Sequence, residues 1–190
     1  MATKTSKRIL WLTQLALLTA ITIVLQMLPI KIGVFQFALA LTPVIIGAAA
    51  LGVGAGGWLG AVFGAVVLLN GDAAPFLAVT IPGTILTVML KGICAGLAAG
   101  AVYRLLEKKN STGAALTAAA TAPIVNTGVF LLCCCAFFLP ILRVWADGQV
   151  LTSYIFVGFI GLNFVVEFTI NLLLGGVIVR VLKALKSRRA

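Results

Sequence analysis

Residues 80–106 read TIPGTILTVMLKGICAGLAAGAVYRLL. An apolar stretch of this length crosses a bilayer, which takes about 20 residues of helix. Two periodicities run along it. Thr80, Thr84, Thr87 and Lys91 fall on one helical face and make a polar stripe. Gly92, Gly96 and Gly100 recur every four residues and make a smooth stripe suited to close helix contact. Lys91 needs a reason to be there. A charged side chain at mid-bilayer costs about 3 kcal/mol on insertion scales, so it is carried where it is paired, hydrated or bound to something.

The rest of the chain has the same character. Of 190 residues, 62% are hydrophobic and only 9% are charged, with mean hydropathy +1.21. Soluble domains carry about a quarter charged residues. The chain therefore reads as one integral membrane domain, all-α, over residues 1–190, with no room for a soluble catalytic domain. The net charge of +10 does not point to nucleic acid, because the basic residues gather at the ends of apolar runs, where they set orientation and favour anionic lipid. Histidine is absent. The cysteines, Cys94 and the run Cys133–Cys135, lie in apolar surroundings and read as small buried filler rather than a metal site.

Working outward, apolar runs separated by turn signals predict six transmembrane helices at about 9–28, 38–53, 57–70, 80–106, 113–140 and 154–183. The N-terminal run is too long for a signal peptide and has no small-x-small cleavage site after it, so it reads as an uncleaved first helix. The second and third runs are short. Parity favours counting them separately: six crossings gather Lys4, Lys7, Arg8, Arg104, Lys108, Lys109 and the tail Arg180–Arg189 on one side, with Lys31 and Arg143 on the other. The positive-inside rule then puts both termini in the cytoplasm. A re-entrant hairpin over 38–70 would keep the same parity. Trp11, Trp58 and Tyr103 fall at expected inner ends, and Trp145 and Tyr154 at the outer edge, as interfacial rings do.

Polar residues inside the other runs add to Lys91. Asn163, Glu167 and Asn171 sit at i, i+4 and i+8, a face poorly suited to lipid. In the fifth run Pro123 removes a backbone donor just before Asn126 and Thr127. At 1.5 Å per residue, Lys91 and Asn163 lie about 13 Å below the outer ends of their helices, and Asn126 and Glu167 about 20 Å. These positions can converge on one pocket open outward. The opposing reading is that Lys91 and Glu167 only neutralise each other. The first outer loop, with Lys31, Phe35, Gln36 and Phe37, offers the aromatic faces and few polar groups of a small-molecule site. The loop NGDAAPF (70–76) is weaker, and Asp72 reads as a solvated turn acid. Gly56, Gly60 and Gly64 repeat the close-packing device of the fourth run.

Nothing in the chain reads as an enzyme. There is no GxxxxGK[ST] loop for ATP, no HExxH and no GxSxG. Neither a metal nor a cofactor is called for.

The chain resembles the substrate-binding S component of energy-coupling factor (ECF) vitamin transporters. The resemblance rests on Ala16-Leu-Leu-Thr-Ala20, which is similar to that family's AxxxA docking motif, on ALALTPVIIGAAALGVGAGGWLGAVFG, and on Pro82 through Lys91-Gly92 with AGLAAGAVYRLL. It covers nearly the whole chain. It implies a multi-pass protein of the bacterial cell membrane that binds a vitamin-like ligand at its outer side. It further implies docking through Ala16 and Ala20 to a coupling membrane subunit with two ATPase subunits. Substrate-binding candidates in the matching regions are Lys31, Phe35, Gln36, Thr87, Lys91, Asn126, Asn163 and Glu167. Lys91 and the PIVNTG segment suit an anionic, hydroxyl-rich ligand, and the pantothenate branch is the closer likeness, with riboflavin or folate as alternatives. A membrane scaffold similar to the cell-shape protein MreD is the rival from another class. It would have no need to aim Lys91, Asn126 and Glu167 at a common depth.

Overall fold

In the computed structural model of the chain, the residues described are 4–28, 31–32, 35–36, 39–150, 153–154 and 161–187, with the side chains of 31–32, 35–36, 162–163 and 185–187 outside the description. Helix α1 is Lys4–Met27. A two-residue pair, β1 (Lys31–Ile32) and β2 (Phe35–Gln36), runs antiparallel with Lys31 opposite Gln36. Then come α2 (Leu41–Leu51), α3 (Val53–Leu69), the single turn α4 (Ala74–Leu77), α5 (Ile81–Leu106) and α6 (Ser111–Cys133). A π-helical turn, Cys134–Phe138, leads into α7 (Leu139–Trp145), and α8 is Gly161–Ser187. The all-helical expectation holds, with that one short strand pair added to it.

Contacts between helices fix their directions. Trp11 Nε1 donates to the Leu51 carbonyl (3.1 Å), Trp58 Nε1 to Thr19 Oγ1 (3.2 Å) and Gln26 Nε2 to Asp72 Oδ2 (3.1 Å). Moving along α1 therefore moves the same way along α3, and the two are parallel. Helix α2 folds back on α3 at Gly52, whose φ of 112° suits a residue without Cβ. Gly47 then meets Leu59, and Ala48 meets Gly56. Against α5, α3 is antiparallel: Gly56 faces Gly96, Gly60 faces Gly92, and Gly64 faces Val88. The α5–α6 turn is closed by Asn110, whose Oδ1 accepts from the backbone N–H groups of Thr112 and Gly113 at 3.0 and 3.1 Å, a side-chain cap on α6. Helices α6 and α8 are antiparallel, with Gly175 against Leu116 and Glu167 against Asn126. The long helices alternate in direction, so the start of α1 and the end of α8 lie at one end of the bundle. Lys4, Lys7, Arg8, Arg104, Lys108, Lys109, Arg180 and Lys183 gather at that end.

Among the described residues, four stretches are long and apolar enough to cross a membrane: Lys4–Met27, Ile81–Leu106, Ser111–Trp145 and Phe164–Ala184. The stretches expected as second and third spans form α2 and α3, two shorter apolar helices reversed at Gly52, an arrangement open to both two crossings and a re-entrant hairpin. With 11 and 17 residues they measure about 16 and 25 Å. The expected fifth span ended at residue 140, and the helical path instead continues to Trp145. Pro123 is accommodated inside an unbroken α6. Pro140 is what disturbs the path. It has no N–H for the carbonyl of Ala136, and the helix widens into the π-turn just before it.

The α3–α5 glycine seam lets backbones approach at the centre of the bundle. Beside it, the alanine face of α6 (Ala114, Ala115, Ala118, Ala119, Ala122) packs on Ala95, Ala99 and Tyr103 of α5. Tyr103 was expected at an interface. It is instead fully buried, its hydroxyl 3.4 Å from Ser111 Oγ, because the tight α5–α6 turn folds α6 over it.

Candidate functional site

Gly92 belongs to the seam, so its neighbour Lys91 leaves α5 at the edge of that contact. There its Nζ lies 5.8 Å from the centroid of Phe63 on α3 and 5.1 Å from that of Phe130 on α6. Ring faces attract an ammonium group and partly replace lost water. Among the described residues, no ion pair or hydrogen bond joins Lys91 to Glu167, so the two do not form the direct pair that one reading of the sequence allows. The lysine is half-buried, with rings at its sides and no hydrogen bond or ion pair among the described residues.

Glu167 and Asn126 are brought together as expected. Asn126 is 5% exposed and Glu167 6%, and Asn126 Nδ2 donates to Glu167 Oε1 over a long 3.5 Å. The oxygen of that amide, Asn126 Oδ1, has no hydrogen-bond partner among the described residues. Leaving a buried acceptor unpaired costs about 1–3 kcal/mol, so this atom has capacity for one further donor. Asn171, one turn further on, is used differently. Its Nδ2 donates to the Glu167 backbone carbonyl at 2.9 Å, and its Oδ1 accepts from Thr42 Oγ1 at 3.4 Å, tying α8 to α2. Thr87 is buried, but its hydroxyl donates to the Gly83 carbonyl at 2.7 Å. It lies one turn from Lys91 on the same face, with its proton already committed.

Several contributors went unnoticed in the sequence. Phe130 follows Asn126 by one turn, and that i+4 spacing was the available signal for it. Phe76 of α4 stands over Phe130, with ring centroids 5.6 Å apart, and packs edge-on against Phe138 (4.9 Å) and Trp145 (5.6 Å). The loop NGDAAPF thus supplies an aromatic roof. Asp72 is a partly exposed turn acid that also has partners: its Oδ2 accepts from Asn70 Nδ2 at 2.6 Å and from Gln26 Nε2 at 3.1 Å. The proximity of the α1 and α3 ends places it there. The expectations for the side chains of Lys31, Phe35, Gln36 and Asn163 lie outside the described residues. Ala16 and Ala20 are on the exposed face of α1, among Leu12, Leu17 and Val24, and nothing among the described residues covers them.

The arrangement offers a small molecule one ammonium donor, a carboxyl group, an unpaired amide acceptor and aromatic walls, about 15 Å along α5 from Ile81. No nucleophile with a base and no metal cluster occurs among the described residues of this region. No curated protein and no solved structure matches the chain. A family model described as ECF transporter, substrate-specific component, matches residues 11–183.

Proposed function

Because the chain belongs to the ECF transporter substrate-specific component family, we propose that it captures a small vitamin-like anion between α3, α5, α6 and α8 and hands it to an ATP-driven module. The observation that carries this is Lys91: an ammonium group deep in an apolar helix, flanked by rings, with no ion pair to Glu167 and with an orphan acceptor on nearby Asn126. A scaffold has no use for such a set. Pantothenate fits best. Its carboxylate suits Lys91, and its hydroxyl and amide N–H groups suit Asn126 and Glu167. Riboflavin brings no carboxylate for the lysine, and folate brings two on a much larger frame. Lys31, Phe35, Gln36 and Asn163 complete the site in this reading, and Thr87 shapes its wall.

The chain is a single membrane domain that crosses six times, α2 and α3 included, with both termini cytoplasmic. The alternating helix directions and the basic end of the bundle support this. Cysteines placed at Lys109 and Arg188, in a background without the native four, should resist impermeant thiol reagents in intact cells, while one at Gly148 should react. Labelling of position 109 from outside would overturn the six-crossing arrangement.

The partners are a coupling membrane subunit and two ATPase subunits. Small side chains permit close helix approach in a membrane, and Ala16 and Ala20 form an uncovered pair one turn apart. Replacing both with leucine should abolish ATP-dependent pantothenate uptake and leave equilibrium binding by the purified protein within about twofold. Uptake that persists in cells depending on this chain would remove the docking assignment.

A further inference from the structure

Lys91 stands between two separate apolar clusters. On one side is Phe63 of α3, 2% exposed and part of the main core. The glycine seam fixes that ring, because a Cβ added at Gly92 would lie 3.1 Å from Phe63 Cδ1. On the other side is Phe130 of α6, half-buried and packed on a second, smaller cluster around Cys134, Phe138 and Leu142. The ammonium group lies nearer to this second ring, 5.1 Å from its centroid against 5.8 Å for Phe63. With no hydrogen bond or ion pair to Lys91 among the described residues, the two rings are what hold the charge in place.

Phe130 is in turn steadied by α4. Phe76 stands edge-on to it, with centroids 5.6 Å apart and ring planes at 84°. Such a pair favours one orientation of the ring as well as one position. Phe76 is itself wedged, 4.9 Å from Phe138 and 5.6 Å from Trp145, again edge-on at 72° and 76°. The turn that carries it is tied down at its start, where Asp72 accepts from Asn70 of the α3 end and from Gln26 of α1. A continuous line of contacts therefore runs from the anchored turn through Phe76 and Phe130 to the ammonium group. We infer that Phe76 is a positioning residue of the site: it holds the Phe130 ring against Lys91, and so sets where that charge meets the ligand's anion, without itself touching the ligand. This rests on the reading that Lys91 binds the anion, and it brings α4 into the site.

The test uses the whole chain purified in detergent, with pantothenate as the probe. The lysines carry an isotope label at Cε, and the Lys91 resonance is the one that Lys91→Met removes. A methylene beside two rings is shifted by their ring currents, a signature that needs no ligand. Phe76→Leu should move this resonance toward those of the exposed lysines. It should also weaken pantothenate binding about three- to tenfold, the order of one aromatic pair. Phe76→Tyr, which keeps a ring, should stay near wild type in both. Phe76→Leu combined with Lys91→Met should bind as Lys91→Met alone does, because the ring acts only through the lysine. An unmoved Lys91 resonance in Phe76→Leu overturns the inference. So does an affinity within twofold of wild type in Phe76→Leu while Lys91→Met binds weakly. A further loss in the double variant, or a Phe76→Leu chain that no longer folds, overturns it too, since the ring would then serve the ligand or the bundle by another route. If Lys91→Met binds pantothenate as wild type does, or wild type does not bind it, the site reading itself falls and this inference with it.

Discussion

Lys91→Met should lower ligand affinity ten- to a hundredfold while the ligand-free protein melts at or above the wild-type temperature. The two halves of this expectation have separate causes. A charge-assisted hydrogen bond to a ligand anion in a dry site is worth about 1.5–3 kcal/mol, which sets the loss of affinity. The stability half follows from what surrounds the side chain. The ammonium group rests on Phe63 and Phe130, and methionine keeps the length of the stem while placing a sulfur that also packs well on rings. Glu167 is not stranded by the change, because its hydrogen bond comes from Asn126. Were Lys91 present only to neutralise Glu167, the outcome would reverse: stability would fall and binding would hold. A cycle with Glu167→Gln, scored for affinity by titration calorimetry and for melting in detergent, distinguishes the two. Wild-type affinity in the double variant would end the assignment of Lys91 to the ligand.

Gly60→Ala and Gly96→Ala should each destabilise the bundle severely, by about 3 kcal/mol or more, although each adds a single methyl group. A Cβ at Gly60 would run into the Gly92 carbonyl and stand 3.0 Å from the Ile93 nitrogen, and one at Gly96 would meet the Gly56 carbonyl. These obstacles are backbone, so no rotamer change relieves them and α3 must part from α5. Gly54 and Gly176 have nothing within 4 Å of an added Cβ, and Gly54→Ala and Gly176→Ala should melt with wild type. The measurement is the melting midpoint by size-exclusion chromatography after heating in detergent. A seam variant that matches wild type would mean that the glycine stripes are incidental.

Much of this was legible in the chain because membrane helices state their exceptions openly. In a run as apolar as 80–106, one lysine and a glycine every fourth residue stand out, and both proved to be placed by contact with α3. Asn126 and Glu167 stood out as polar residues on helical faces, and they meet. The remainder depends on contacts that no local pattern records. Gln26 reaches Asp72 across 46 positions, and nothing near either residue announces the other. Phe63 and Phe130 look like ordinary apolar filling until the backbone sets them beside an ammonium group. The sequence left open whether Lys91 and Glu167 neutralise each other, and it could not show that an amide would take the carboxyl group instead. The π-turn was missed because Pro123, the proline that drew attention, is tolerated inside α6, whereas Pro140 lies where the helix was expected to have ended.

The glycine seam has a consequence at the level of the gene. Every glycine codon begins GG, and any single-base change that alters the residue either adds a side chain or stops translation. No codon one step away encodes something smaller. For Gly56, Gly60, Gly92 and Gly96, whose added Cβ would strike the opposite backbone, drift therefore has no gentle direction. A descendant of this sequence could exchange one end of the bundle for another ligand by ordinary stepwise change. Its α3–α5 junction would have to be inherited whole, and new specificities would arise around a fixed hinge of four codons rather than through it.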